Sequence, residues 1–179
     1  MQDISRLPHK LDRAKHECRA IIETPKGRRN KFKYEPETAA FSLSRVLPQG
    51  FTFPFDFGFI PSTAADDGDP LDIIVLMDEP AHVGCVLDVR IIGAIRLVQT
   101  EKGKKTQNDR LISVAVQSLE YKDAHSTADL NPAFLEQITE FMALYNKNSE
   151  KQDEVKGIDG SAKAIKLLER AIKNFLEKQ

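Results

Sequence analysis

Residues 65–77 read ADDGDPLDIIVLM and place four carboxylates directly ahead of five consecutive apolar residues. Gly68 and Pro70 favour a tight turn, and the apolar run is typical of a strand that is buried on both faces. The carboxylates are therefore expected at the rim of a stiff strand. Hard cations such as Mg²⁺ are held by a few carboxylates together with water and phosphate oxygens. The segment is thus suited to a magnesium site.

This acidic turn has two competing interpretations. An isolated D-x-D is most often a solvated turn between strands, but here a buried strand follows it, and charged residues stand in other predicted strands. A calcium loop of the EF-hand type needs Gly at its sixth position and Glu at its twelfth. Counted from Asp67, those positions fall on Asp72 and Asp78. The EF-hand interpretation therefore fails.

Outward from the turn, the chain between Glu17 and Gln117 has short apolar runs rich in Ile, Val and Phe, separated by Gly, Pro, Asp and Lys. This pattern predicts successive strands. The predicted strands are 18–24, 31–36, 40–46, 71–77, 86–98 and 110–116. Phenylalanines alternate from Phe51 to Phe59 around Pro54. We expect them to form an irregular aromatic wall of the core rather than a stacking platform for nucleic-acid bases.

The last part of the chain changes to helical spacing. Asn131 can cap a helix with Pro132 in its first turn, and a second helix is predicted to begin near Ser161. The apolar positions that recur along the two helices are Leu135, Ile138, Met142 and Tyr145, and then Ile165, Leu168, Ile172 and Phe175. Strands first and helices last predict an α+β fold, with helices packed outside a largely antiparallel sheet or closed barrel.

Length and charge limit the classes of protein that fit. The 179 residues suffice for a single domain, 1–179, with a substantial core. The 26 basic and 27 acidic residues nearly cancel, so no overall field would draw the chain to nucleic acid or to an anionic membrane. Cys18 and Cys85 form no disulfide or zinc pattern, and no apolar run suits a secretion signal or a membrane span. We expect a cytoplasmic protein with reduced thiols.

The basic run KGRRNK at 26–31 is open to a nucleic-acid interpretation. It lies between two predicted strands and has only Phe32 as an aromatic neighbour. A solvated hairpin loop is therefore the favoured interpretation.

The acidic turn also carries a resemblance to a known family. The run Asp67-Gly68-Asp69-Pro70-Leu71-Asp72 matches the D-G-D-P-x-D signature of the family I soluble inorganic pyrophosphatases, and segments around it resemble that family in the same order. These segments are 22–25 (IETP), 33–35 (KYE) with Arg45 after it, 53–60 (FPFDFGFI), Tyr145 and 156–160 (KGIDG). The resemblance extends over about residues 21–171.

The resemblance implies a five-stranded, OB-like β-barrel with peripheral α-helices, in an enzyme that hydrolyses inorganic pyrophosphate to two phosphates using several Mg²⁺ ions. Asp69 would act as general base toward a metal-bound water, and Lys33 and Arg45 would share in catalysis by stabilising the phosphate charge. The implied metal ligands are Glu23, Asp67, Asp72 and Asn108. The implied substrate-binding residues are Lys33, Glu35, Arg45, Arg110 and Tyr145. Bacterial-type members imply a homo-oligomer, commonly a hexamer.

The chain departs from the family pattern at three isolated positions. Phe53 and Phe57 replace tyrosines, which removes two hydroxyls but leaves rings that can pack. Asn146 replaces the lysine that usually follows the phosphate-contacting tyrosine, so one phosphate cation is missing.

A larger departure lies in the predicted hairpin 98–110. Gln99-Thr100 stands where the family usually has D-E, and Asn108-Asp109-Arg110 where it has D-x-K. An amide oxygen can ligate a metal without contributing charge, so metal affinity should fall unless Asp109 or Glu101 takes over. Arg110 keeps a cation but changes its geometry. We expect fewer or weaker bound metals.

These departures leave three other functions open. The chain could be a phosphoanhydride hydrolase with an altered substrate, such as a triphosphate or a nucleotide. It could be a non-catalytic phosphate- or metal-binding homologue. A nucleic-acid-binding module of the OB type is disfavoured by the net charge and by the acidic turn.

Overall fold

The computed structural model describes residues 3–146 and 149–178 of the chain. The strands are β1 (Glu17–Thr24), β2 (Asn30–Glu35), β3 (Ala40–Val46), β4 (Asp56–Phe59), β5 (Asp72–Leu76), β6 (Val86–Glu101), β7 (Lys104–Gln107), β8 (Arg110–Ala115) and β9 (Lys151–Gly160). The α-helices are α1 (Pro132–Leu144) and α2 (Ser161–Glu177), and short 3₁₀ helices span Ile4–Arg6 and Thr127–Asp129.

Five of these strands close into a ring. β1 pairs antiparallel with β4 and with β6, β4 pairs antiparallel with β5, β5 pairs in parallel with β8, and β8 returns antiparallel to β6. β7 and β9 extend the sheet from β6, while β2 and β3 form a separate two-stranded sheet. The predicted α+β fold with an OB-like five-stranded barrel is confirmed. The ring is uneven, because its β1–β4 and β6–β8 ladders each contain a register shift.

β5, the strand that follows the acidic turn, is buried on both faces as predicted. Ile73 and Val75 pack in a hydrophobic cluster with α2, whereas Ile74 and Leu76 pack in a second cluster with α1. Successive side chains of a strand point to opposite faces, so a strand between two clusters requires an unbroken apolar run. The acidic turn is therefore attached to the centre of the core.

Both helices begin where the sequence predicts. The Asn131 side chain accepts a hydrogen bond from the backbone N–H of Ala133 at 2.9 Å and so caps α1. α2 begins at Ser161 and buries Ala164, Ile165, Leu168 and Ala171 against the barrel. Within residues 3–146 and 149–178, no helix has both the length and the apolarity needed to cross a membrane.

The aromatic run from Phe51 to Phe59 is core, but its second half is regular. Asp56–Phe59 forms β4 and pairs with both β1 and β5. Prediction of an irregular segment was wrong there because Pro54 lies outside the ladder and does not interrupt it. Gly58 allows the close β1–β4 approach, since a Cβ atom at this position would lie 1.9 Å from the carbonyl oxygen of Ile21.

β9 was not predicted, because its sequence KQDEVKGIDG lacks an apolar period. It is instead held by backbone pairing with the long strand β6, from Gly93 to Glu101. That partner itself continues to Glu101, beyond the predicted end at residue 98. Tertiary pairing thus decides the conformation of a polar segment that carries no local signal for it.

The basic run 26–31 is not a hairpin loop. It leads from β1 in the ring to β2 in the two-stranded sheet, and β2 pairs with β3 rather than with β1. Lys26 is exposed, as a solvated loop requires, but Lys31 belongs to β2 and is partly buried.

Asp56, the first residue of β4, is a buried carboxylate. Its Oδ1 accepts hydrogen bonds from the backbone N–H groups of Ala81 at 3.1 Å and Lys26 at 3.3 Å, whereas its Oδ2 has no partner among the described residues. Burial raises the pKa of Asp56 despite these two hydrogen bonds. Because the folded-state pKa lies above the unfolded one, ionisation of Asp56 removes stability as pH rises.

Asp56→Asn is therefore expected to raise the melting temperature at pH 8 by roughly 2–4 °C, the shift that about 1 kcal/mol produces in a domain of this size. The physical reason is that an amide costs less to bury than an ionised carboxylate. The gain should shrink as pH falls toward 4, because protonation of the wild-type carboxyl removes the cost of burying its charge. Thermal melts from pH 4 to 8 measure this, with the exposed Asp123→Asn as control. A gain independent of pH would contradict the role of ionisation.

Candidate functional site

One cavity of about 480 Å³ brings together all of the site residues that were predicted from the sequence. They come from separate elements of the chain, namely β1, β2, β3, the acidic turn, β5, the start of β8 and the residues that follow α1. The predicted residues that line the cavity are Glu23, Lys33, Glu35, Arg45, Asp67, Asp69, Asp72, Asn108, Arg110 and Tyr145.

The acidic turn is held by its own backbone. The N–H of Gly68 donates to the carbonyl of Ala65 at 3.0 Å, and the N–H of Ala65 donates to the carbonyl of Asp69 at 2.8 Å. Gly68 has a φ of +94°, a left-handed conformation that favours glycine. The Oδ1 of Asp67 accepts from the N–H of Asp69 at 3.1 Å. The turn therefore presents Asp67 and Asp69 to the cavity in a fixed backbone frame.

The carboxylates at this end of the cavity repel one another. Burial raises the pKa of Glu23 to about 7, and the charge of Asp72 adds to the shift, while the N–H of Tyr34, which donates to Glu23 at 2.8 Å, opposes it. Burial likewise raises the pKa of Asp67, and the charges of Asp69 and Asp72 add to that shift. A bound cation would relieve this repulsion, so these carboxylates fit a hard metal ion.

Two side-chain cations balance part of this charge. Lys33 Nζ lies 3.2 Å from Asp69 Oδ2, and Arg110 Nε lies 3.0 Å from Asp72 Oδ2. Across residues 3–146 and 149–178, no three carboxylate, histidine or cysteine side chains already converge on a common point at metal-ligand spacing. A metal ion would therefore compete with Lys33 and Arg110 for these carboxylates.

Arg110 is the most deeply buried cation of the cavity wall, with 4% of its surface exposed. Its Nη1 donates to the backbone carbonyl of Asn108 at 2.7 Å and also contacts the Asn108 side-chain oxygen. The Nε makes no hydrogen bond within the described residues, so its approach to Asp72 is an ion pair without hydrogen-bond geometry. The side chain thus links β8 to the acidic end of the cavity.

Arg45, which also lines the cavity, is held by the residues after α1. Its Nη1 donates to the side-chain oxygen of Asn146 at 2.9 Å, its Nη2 donates to the carbonyl of Tyr145 at 3.1 Å, and its guanidinium stacks 4.4 Å from the Tyr145 ring. Asn146 in turn donates to Asp153 at 2.5 Å, and Gln99 donates to the same carboxylate at 2.9 Å. Polar contacts that run from Asp153 of β9 through Asn146 therefore hold the Arg45 guanidinium in place.

Asp109 and Glu101, the two candidates to replace the missing carboxylates, lie differently with respect to the cavity. Asp109 points away from the cavity, because its carboxylate accepts from the backbone N–H of Leu97 at 2.9 Å and from Gln107 at 2.8 Å. It does not replace Asn108 at the site. Glu101 does line the cavity but pairs with Lys151 at 3.5 Å. Glu35 lines it as well and accepts a hydrogen bond from Ser42 at 2.9 Å.

Sequence reasoning missed one cation of the cavity wall, Lys31, and one carboxylate behind it, Asp153. Lys31 begins the predicted strand 31–36, but as the last residue of the basic run it was interpreted as solvated, whereas it lines the cavity. The alternation of Lys31, Lys33 and Glu35 along β2 is a signal that could have found it, because alternate residues of a strand share a face. Asp153 does not line the cavity but accepts hydrogen bonds from Gln99 and Asn146, and it was missed for lack of any signal because it lies on the unpredicted β9.

Comparison with known proteins agrees with this geometry. The family model described as inorganic pyrophosphatase matches residues 20–176. An inorganic pyrophosphatase from Synechocystis sp. is 34% identical over 97% of this chain and 99% of that protein. The crystal structure of inorganic pyrophosphatase from Thermus thermophilus has a TM-score of 0.89 at 31% identity, covering 98% of this chain and 99% of that one. An inorganic pyrophosphatase from Neisseria gonorrhoeae superposes with a TM-score of 0.87 at 26% identity, covering 97% and 99% of the two chains. The chain therefore belongs to the inorganic pyrophosphatase family.

Proposed function

We propose that this protein hydrolyses inorganic pyrophosphate to two phosphates, with Mg²⁺ as its metal ion. The observation that carries the proposal is the charge of a single cavity, where the interacting carboxylates of Glu23, Asp67, Asp69 and Asp72 lie in the same lining as the cations of Lys33, Arg45 and Arg110. Pyrophosphate is a compact polyanion that needs both fixed cations and metal ions to be bound and cleaved. The names of the relatives and the family match support the same substrate.

The acidic end is the proposed metal site. Glu23, Asp67 and Asp72 would supply carboxylate oxygens, and Asn108 would supply an amide oxygen. Bound Mg²⁺ would neutralise phosphate charge and lower the pKa of water. Because Asn108 is neutral and Arg110 already pairs with Asp72, we infer fewer or weaker bound metals than a site built only of carboxylates would hold.

Asp69 is the proposed general base. Its side chain is 61% exposed and lines the cavity, where it could accept a proton from an attacking water. The neighbouring Lys33 ammonium pairs with this carboxylate and would move to a phosphate oxygen when substrate enters. A base of this kind typically contributes 10²–10⁴-fold to the rate.

The phosphate groups would be gripped by Lys33, Arg45, Arg110 and Tyr145. Arginine presents a planar fork that suits phosphate oxygens, and Arg45 is already oriented by Asn146 and the Tyr145 ring. Such fixed donors stabilise the charge that develops during phosphoryl transfer. Glu35 would belong to the polar network beside Lys33.

The oligomeric state and the cellular compartment of the protein are also part of the proposal. We infer a homo-oligomer, with a hexamer as the expected assembly, and an activity in the cytoplasm, supported by the free thiols of Cys18 and Cys85. Light scattering of the purified protein tests the assembly, and a monomer would contradict it.

The test of function is phosphate release from pyrophosphate by the purified protein in excess Mg²⁺ and in excess EDTA. We expect turnover that requires the metal. Parallel reactions with tripolyphosphate and with nucleoside triphosphates serve as substrate controls. Release from those compounds but not from pyrophosphate would replace the proposed substrate, and no release from any of them would contradict a hydrolytic function.

A further inference from the structure

Lys31 brings a cation to the cavity that the site assignments above do not use. It lies on β2 opposite Arg45 of β3 in the ladder of the two-stranded sheet. Its Nζ lies 5.5 Å from the centre of the Tyr145 ring and 5.7 Å from the centre of the Phe57 ring. The ammonium group is therefore held between two aromatic faces at the wall of the cavity.

The other cations of the cavity wall are already engaged. Lys33, Arg110 and Lys151 form ion pairs with Asp69, Asp72 and Glu101. Arg45 donates to the Asn146 side chain and to the Tyr145 carbonyl. Lys31 forms no ion pair in the part of the chain that the structure describes. An ammonium group has three donors and no acceptor, so this site has capacity for an external anion.

The environment of Lys31 keeps it charged. Burial lowers the pKa of Lys31, but the Tyr145 phenol, which also accepts a hydrogen bond from the ammonium group, and the Asp72 carboxylate more than offset this effect, whereas Arg110 opposes them. The net pKa lies above the ordinary value of 10.5. A buried ammonium is costly unless acceptors surround it, and nonbridging phosphate oxygens are strong acceptors for a charged N–H donor.

We propose that Lys31 is a phosphate-binding residue, whose ammonium group contacts an oxygen of the substrate or of product phosphate between the rings of Tyr145 and Phe57. This inference rests on the proposed function for the identity of the anion. It assigns to Lys31 a direct contact with the ligand, next to Arg45, at the wall where Asn146 contributes no charge.

The test is calorimetric binding of methylenediphosphonate, a non-hydrolysable analogue of pyrophosphate, and of inorganic phosphate, each in EDTA and in Mg²⁺. Lys31→Met is expected to raise the Kd for the analogue at least about tenfold, in line with the loss of one charge-assisted hydrogen bond. It should also flatten the dependence of Kd on salt, since one phosphate contact is gone. Lys31→Arg should recover most of the affinity.

The matched control is Lys26→Met, which removes a lysine of the same basic run that is exposed and does not line the cavity. We expect its Kd to equal that of the wild type. Lys31→Met should melt at or above the wild-type temperature, because an apolar side chain costs less to bury. A twofold or smaller change in Kd, with the melting temperature preserved, would overturn the inference.

Failure of this inference and failure of the proposed function are distinguishable. If wild-type protein releases phosphate from pyrophosphate but Lys31→Met binds the analogue normally, only the role of Lys31 is wrong. If no turnover occurs but the analogue binds in a Lys31-dependent way, the binding role stands and hydrolysis does not. If Lys31→Met unfolds, Lys31→Arg decides, because it should bind the analogue nearly as well as the wild type only if the charge matters.

Discussion

Asp69→Asn is expected to lower kcat for pyrophosphate by about 10²–10⁴-fold, the contribution of a positioned general base. The amide keeps the size of the side chain but cannot take a proton from water. It also loses the ion pair with Lys33, which is partly exposed and contributes little to stability. We therefore expect a folded protein that binds methylenediphosphonate with near wild-type affinity. Steady-state kinetics and calorimetry measure the two effects separately.

The control for this variant is Asp66→Asn. Asp66 is three positions away in the same turn, but it pairs with Arg170 of α2 at 3.0 Å and does not line the cavity. Its removal should leave kcat within about twofold, since exposed ion pairs are worth 0–1 kcal/mol. Retained turnover in Asp69→Asn, or an equal loss in both variants, would exclude Asp69 as the base.

Arg110→Met is expected to affect both stability and catalysis. Arg110 is buried and faces Asp72, so its removal leaves a carboxylate without its cation. Removing one partner of a buried ion pair costs on the order of 3 kcal/mol. We expect that loss in urea unfolding in EDTA, and we expect Mg²⁺ to recover part of it by taking the place of the guanidinium beside Asp72. Loss of its proposed phosphate contact should lower kcat/KM at least about 10²-fold.

Two further variants serve as comparisons for Arg110→Met. Arg110→Lys keeps the charge and loses the fork, so it should retain more stability than Arg110→Met while losing affinity for methylenediphosphonate. Arg96→Met breaks a partly exposed pair with Asp159 at 3.4 Å outside the cavity and should change neither the stability nor the affinity for methylenediphosphonate by more than about 1 kcal/mol. If Arg110→Met were as stable as wild type in EDTA, the ion pair with Asp72 would not balance the acidic end as we propose.

The sequence predicted the acidic turn and its strand because their signals are local. Gly68 and Pro70 define the turn, and the apolar run after Asp72 can be satisfied only by burial on both faces. The resemblance then gave the site residues, and every one of them lines the same cavity. The assignment of roles to these residues stays a prediction that the variants above test.

The positions where prediction failed share one cause. β9 has no apolar period and becomes a strand because β6 offers it a ladder. Asp109 was a candidate metal ligand by its charge, yet it turns away to accept two hydrogen bonds from its own hairpin region. Lys31 was predicted at the start of a strand but interpreted as solvated, yet the two-stranded sheet places it in the wall of the cavity. Each outcome depends on a partner that is distant in sequence or on the direction of a side chain.

The sequence by itself determined the α+β class, the doubly buried strand, the two helices and the clustering of carboxylates in the acidic turn. These features follow from hydrophobic period, turn chemistry and motif spacing, which act over a few residues. Only the tertiary structure decided which cations neutralise which carboxylates, that Asp153 holds Asn146 and Gln99, and that Lys31 faces Tyr145. Electrostatic interactions depend on the distance between charged groups and on their burial. Both are set only when the chain folds and brings distant segments together.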